Sequence, residues 1–165
     1  ATGYGRTKAV AAYYQHFTDK YKGVAKWHKN LGDEAVRFLK ITNVSGRQYA
    51  FPEVTRRSNG SVSHFTMIKN YPVQGFATGD IVPIILLEIE KHLEIDNLHS
   101  LLVNTVHDSV VLDVHPAEED AVLGIIKDIN DKLSVIIQSY YDIDVNVPML
   151  LEAKIGNNWL DTKDV

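Results

Sequence analysis

His107 and Asp108 stand together at the middle of "NTVHDSVVLDVHP", residues 104–116. Apolar, β-branched arms, 104–106 and 109–114, lie on either side. An imidazole next to a carboxylate at the crest of an apolar ribbon has two readings. Asp and His tolerate the positive φ that two-residue hairpin turns need, so the pair can simply close a tight turn. Alternatively, a carboxylate held at the tip of a rigid hairpin is a hard oxygen ligand for a divalent cation. A histidine zinc site is not expected, because His16, His28, His64, His92 and His99 show no HxxxH or HxH spacing.

The elements that would position this pair can be read from periodicity and charge. The chain has 165 residues, no cysteine and an ordinary globular composition, with 45% hydrophobic and 23% charged residues. This amounts to one domain, with neither disulfides nor thiolate metal sites. No consecutive apolar run reaches the ~18 residues of a membrane span, and no signal-peptide pattern is present. An intracellular, cytoplasmic location is the expectation, and Ala1 is not read as a natural start. Residues 1–75 carry 12 Lys and Arg against 4 Asp and Glu, a net +8. Residues 76–165 carry 5 against 17, a net −12. A basic half can follow a phosphate backbone while an acidic half holds metal, and a dipolar domain with solvated faces is the plain alternative.

Residues 7–31 carry Val10, Tyr13, Tyr14, Phe17, Tyr21 and Val24 at helical spacing, so a helix with an aromatic core face is predicted, ending at Gly32. A hairpin is predicted over 35–51, then a polar loop over 52–61 containing Arg56 and Arg57. Residues 61–70 read as helical, with Pro72 as an interruption. Residues 74–93 read as mostly helix, with Pro83 as a bend or fresh start. Strands are predicted over 98–106 and 109–114. A long helix follows from Pro116, with Glu118, Glu119 and Asp120 in its first turn, where the helix dipole favours negative charge. Its apolar stripe is Val122, Ile125, Ile126, Ile129, Leu133, Ile136, Ile137 and Tyr140. A last strand is predicted over 147–155. The class is α+β, an antiparallel sheet with packed helices.

Five stretches in this order resemble the polymerase domain of family A DNA polymerases, the group of bacterial polymerase I and phage replicases. They are "YYQHFTDKYKGVAKW" (13–27), "SGRQYAFP" (45–52), "NYPVQGFATGDI" (70–81), "VHDSVVLDV" (106–114) and "EAKIGNNWLD" (152–161). The second is similar to the family's "GRRRYLP", the third to "NxPVQGxAADI", the fourth to motif C, "VHDELVLEV", and the last to "VGxDWL". The wording looks more phage-like than bacterial. There are departures. Neither a motif A "DYSQIE"-like strand nor the motif B helix occurs. Ser109 stands where motif C usually has Glu. Asp80 lies one place later than the acid of "AAD", and Thr66 stands where the family has a basic residue, with Lys69 nearby. The resemblance implies a C-terminal palm fragment over 1–165, with adjoining fingers-side elements, that begins after motif B.

For chemistry, the resemblance implies DNA-templated nucleotide addition from deoxynucleoside triphosphates, with two Mg²⁺ ions at the primer end. Asp108 would be one metal carboxylate, completed by another outside this chain, so the chain alone is not expected to polymerise. His107 would contact the primer backbone, and Asn70 and Gln74 the minor groove of the primer–template duplex. There an amide meets acceptors on every base pair. Arg47, Arg56 and Arg57 are candidate phosphate contacts. Plain structural roles stand beside each: turn packing for His107, helix capping for Asn70 and Gln74, solvated surface for the arginines. A non-catalytic nucleic-acid-binding module is the alternative function, and an α+β scaffold with incidental likeness the third. An open edge on the 98–114 ribbon implies that the isolated chain pairs with a second copy.

Overall fold

The computed structural model describes residues 6–165, and the first of them already lies in a helix. The chain divides into two compact units, Ala1–Val73 and Gln74–Val165.

In the first unit, α1 (Arg6–Lys20) and α2 (Lys22–Phe38) meet at Tyr21, whose backbone leaves the helical region. The sequence predicts that the helix ends at Gly32, yet α2 continues six residues further, to Phe38. Gly32 is a contact residue, not a stop. A Cβ there would lie 2.9 Å from Phe65 Cε2, so only glycine lets the two elements approach this closely. The helix ends at Leu39, which takes a left-handed φ of 56° and returns its N–H to Ala35. The predicted hairpin is therefore shorter. It consists of β1 (Lys40–Thr42) paired antiparallel with β2 (Gln48–Ala50) in the register Ile41↔Tyr49. The core is Leu31, Ala35, Ile41, Phe51, Val54 and Ile68, with Tyr49 and Tyr71 packed against it.

The aromatic face of α1 is a second correction. Tyr13, Tyr14 and Tyr21 are exposed, where the spacing implied core. Phe17 alone finds a partner across the bend at Tyr21, stacking on the His28 ring at 6.2 Å. Burial, and then the charge of Lys69, hold that imidazole below its ordinary pKa. Amphipathic spacing marks a face able to bury, but no described residue covers the rest of this one.

The boundary between the units falls inside α3 (Phe65–Phe76). Pro72 lies within this helix and does not break it. Its missing N–H and its clash with the preceding turn are offset by burial of the ring itself. A π-helical turn, Ala77–Ile81, follows, and then α4 (Val82–Ile95) with Pro83 in its first turn.

In the second unit, α4 and α5 (Glu119–Tyr141) form the core. Ile84, Ile85, Ile89 and Leu93 meet Val122, Ile125, Ile129, Leu133 and Ile137, and from Ile85 on each helix steps by three or four residues along one face. The predicted stripe on α5 is thus the core face, except that Tyr140 at its end is half exposed. The helical run Phe65–Ile95 is long and apolar enough to cross a membrane by length and composition. Of its apolar side chains, Ile81, Ile84, Ile85, Ile89 and Leu93 are packed into this core, whereas Leu87 and Ile95 are exposed. The sheet is a hairpin, β3 (Leu101–Val106) with β4 (Ser109–Asp113). The last predicted strand is much reduced, to β5 (Lys154–Ile155) paired with β6 (Lys163–Asp164). The architecture is α+β, with helices and small antiparallel sheets.

Candidate functional site

The β3–β4 hairpin is closed by the pair Val106↔Ser109, so His107 and Asp108 are the whole of a two-residue turn. His107 takes φ of 57°, and Asp108 is not among the positive-φ residues. The strained position of the turn is therefore occupied by the histidine, while the carboxylate sits at an ordinary one. Both side chains are exposed. Ser109 closes the turn from below, its hydroxyl donating to the Val106 carbonyl at 2.8 Å. A carboxylate at 109 could not make that bond. In this chain the position acts as a staple for the crest.

One irregularity lies further down the ribbon. Leu102 pairs with Leu112 and Asn104 with Val111, so Val103 is a bulge residue without an opposite number. Beyond it the alternation on β3 changes phase. Leu102 and Thr105, three residues apart, lie opposite Leu112 and Val110, which share one face of β4. Val110 and Leu112 pack against the unit's core. The crest is thus anchored through β4, and the outer edges of β3 and β4 have no further strand partner among the described residues.

The base of the ribbon is held by a residue that the sequence reading placed only in a helix dipole. Glu118, in a 3-10 turn (Pro116–Glu118) that opens α5, folds back onto the residues before β3. Its carboxylate accepts from the Ser100 hydroxyl at 2.7 Å and from the backbone N–H groups of His99 and Ser100 at 2.9 Å each. These bonds, the Ser100 hydroxyl foremost, bring its pKa down to about 2. His115 adds a second tie, its N–H donating to Ser100 Oγ at 3.0 Å. Nothing in local sequence signals this contact, because its partners lie eighteen and nineteen residues away.

Among the described residues no group of three or more His, Asp or Glu is arranged to hold a metal ion. Asp108 offers one hard, exposed carboxylate, a ligand type that fits Mg²⁺.

The other site residues are spread over both units. Asn70 and Gln74 lie four apart on α3 and are both exposed. Lys69 Nζ lies over the Phe65 ring, 4.9 Å from its centroid. Arg47 is exposed in the β1–β2 loop, and its carbonyl accepts from Asn43 N–H at 2.7 Å. Arg56 is already engaged: its guanidinium pairs with Asp33 and donates to the Gly60 carbonyl at 3.0 Å. Asp33 also accepts from Lys29 at 2.7 Å, and the two cations, Lys29 first, lower its pKa. Arg57 is exposed at the tip of the same loop, with no ion pair among the described residues.

The family model "DNA polymerase family A" matches residues 2–161. DNA polymerase I of Bacillus caldotenax is 23% identical over 158 residues, covering 94% of this chain and 17% of that protein. DNA polymerase I of Lactococcus lactis subsp. lactis is 27% identical over 159 residues, with the same coverage. The mitochondrial DNA polymerase I B of Oryza sativa subsp. japonica is 26% identical over 144 residues, 86% of this chain and 13% of that protein. A solved structure, the POL domain of Pol1 from M. smegmatis in complex with DNA primer-template and dNTP, superposes with a TM-score of 0.66 at 20% identity. It covers 84% of this chain and 23% of that one, and at this identity it speaks for the fold. The chain belongs to DNA polymerase family A. It spans about a sixth of the length of the bacterial relatives it matches.

Proposed function

We propose that this chain is the C-terminal part of a family A polymerase domain, the palm hairpin with adjoining fingers-side elements. As part of a DNA-directed DNA polymerase it would add deoxynucleotides to a primer–template. The observation that carries this reading is the exposed Asp108 at a closed two-residue turn, inside a chain that matches the family almost end to end. Asp108 would hold Mg²⁺ jointly with a carboxylate from outside this chain. When bound, the metal supplies charge neutralisation at the reacting phosphate. The protein's part is to fix the carboxylate: the Val106↔Ser109 pair, the Ser109 hydroxyl and the core beneath β4 leave the crest little freedom.

The remaining residues bind and align. His107, next to Asp108, would touch the primer backbone. Asn70 and Gln74 present carboxamides, whose N–H groups suit the acceptors common to all base pairs in the minor groove. Arg47 and Arg57 suit phosphate oxygens. Arg56 joins them only by exchanging Asp33 for a phosphate.

The test is Asp108→Ala in the polymerase that carries these residues. Primer extension should fall by orders of magnitude while affinity for the primer–template stays within a few-fold, because the loss falls on the transition state. Ser109→Ala should be mild. Near-normal turnover in Asp108→Ala would remove the metal assignment.

A further inference from the structure

Gln74 is followed by an irregular stretch of helix. Ala77–Ile81 forms a π-helical turn, which holds more residues per turn than an α-helix. The family spacing "NxPVQGxAADI" has one residue fewer between the glutamine and the acid than "QGFATGD" has here. A π turn is how a helix takes up one extra residue while the segments on either side stay helical, and such turns gather at functional sites.

This turn is clamped on both sides. Tyr141, the last residue of α5, donates its hydroxyl to the carbonyl of Asp80 inside the turn, at 3.0 Å. Its ring packs edge-on against Phe76, the residue just before the turn, with centroids 6.3 Å apart. Within the turn, the Thr78 hydroxyl donates to the Gln74 carbonyl at 2.7 Å. Asp80 and Ile81 are buried, whereas Gln74 is exposed. One side chain thus touches both ends of the irregularity, and the turn reaches back through Thr78 to the backbone of Gln74.

We infer that Tyr141 is a positioning residue for Gln74: by holding the π turn it sets the direction in which the Gln74 carboxamide meets the duplex minor groove. This inference rests on the duplex-facing reading of Gln74. In a helix each residue of phase is a rotation of about 100°, so a turn free to relax toward α geometry would swing Gln74 relative to the core.

Tyr141→Phe keeps the ring against Phe76 and removes the hydroxyl with its bond to Asp80, so the fold should persist. Tyr140→Phe is the matched control. It removes a comparable hydrogen bond, from Tyr140 to Glu88 Oε1 at 3.1 Å, that does not end on the turn, and it keeps the Tyr140 ring beside Tyr141, centroids 6.4 Å apart. In this chain, amide hydrogen exchange at 77–82 should rise about five-fold in Tyr141→Phe, the size of one net hydrogen bond, and stay unchanged in the control. In the polymerase that carries these residues, the ratio of extension rates from matched over mismatched primer ends should fall about five-fold. That fall should vanish in a Gln74→Ala background. Unchanged exchange, or an unchanged ratio where Gln74→Ala itself shifts it, overturns the inference. A ratio that Gln74→Ala leaves unmoved overturns the reading of Gln74 and the inference with it, while the exchange result still reports on the clamp.

Discussion

The two hairpins of this chain solve the same geometric problem with different residues. In β1–β2 a five-residue loop joins the strands, and its positive φ of 83° falls on Gly46. In β3–β4 a two-residue turn joins them, and its positive φ of 57° falls on His107. The first hairpin carries its important residue inside, Ile41, which is fully buried. The second carries its proposed site residues, His107 and Asp108, exposed at the crest. Glycine is the low-strain choice where only the backbone must bend. A histidine in that conformation keeps a side chain at a strained position, which is intelligible when the side chain has a task.

The largest expected contrast is a double dissociation. Ile41→Ala opens a cavity in the first unit's core and should destabilise the fold by about 2–5 kcal/mol, seen in urea unfolding. Asp108→Ala should leave unfolding within about 0.5 kcal/mol, as for other exposed substitutions, while abolishing catalysis in the polymerase. An Asp108→Ala protein that unfolds as readily as Ile41→Ala would make Asp108 a structural turn residue. Next comes the strained position itself. His107→Val forces a β-branched residue into positive φ and should cost about 1–3 kcal/mol. His107→Gly should be at least as stable as the native chain. If Val is tolerated as well as Gly, the turn relaxes in solution and the contrast with Gly46 is lost.

The smallest effect concerns what holds the ribbon at its base. Glu118 has its pKa depressed from 4.5 to about 2, so its bonds to His99 and Ser100 contribute stability that is complete above about pH 4.5. That contribution declines as pH falls toward about 2, where the folded-state carboxylate takes up its proton. Thermal melts between pH 5 and pH 2 should show a shallower acid decline in Glu118→Gln than in the native chain. The same slope in both would mean that the bonds to His99 and Ser100 are not kept in solution.

Much of this was legible in sequence, for reasons that differ by residue. The α5 stripe was readable because a long helix repeats its signal over more than four turns, from Val122 to Ile137. The hairpin at 107–108 was readable because β-branched arms and a polar pair specify both the strands and the turn. Gly32 misled because a glycine reads as a helix stop from local context, whereas its reason is Phe65, thirty-three residues away. Pro72 misled in the same way: its local cost is offset by burial that only the folded chain supplies. The exposed tyrosines of α1 show the converse limit, since periodicity marks a face without naming its cover. At the site, the position of Asp108 was legible. The staple from Ser109 and the engagement of Arg56 by Asp33 were not, because both are set by side-chain geometry across space. The late acid at position 80 was visible as an oddity of spacing, and the π turn at Ala77–Ile81 gives it a physical form.

The bulge at Val103 bears on heredity as well as on geometry. A regular ladder cannot gain or lose a single residue without turning every later side chain to the opposite face. A strand that already carries a surplus residue has one place where its length can change by one while the pairs nearer the crest, Thr105↔Val110 and Val106↔Ser109, keep their partners. Across descendants of this gene, single-codon gains and losses in the hairpin should therefore collect at 103 and be absent between 104 and 113. The crest is then insulated from changes in chain length by a defect some 10 Å down the strand, at about 3.3 Å per residue.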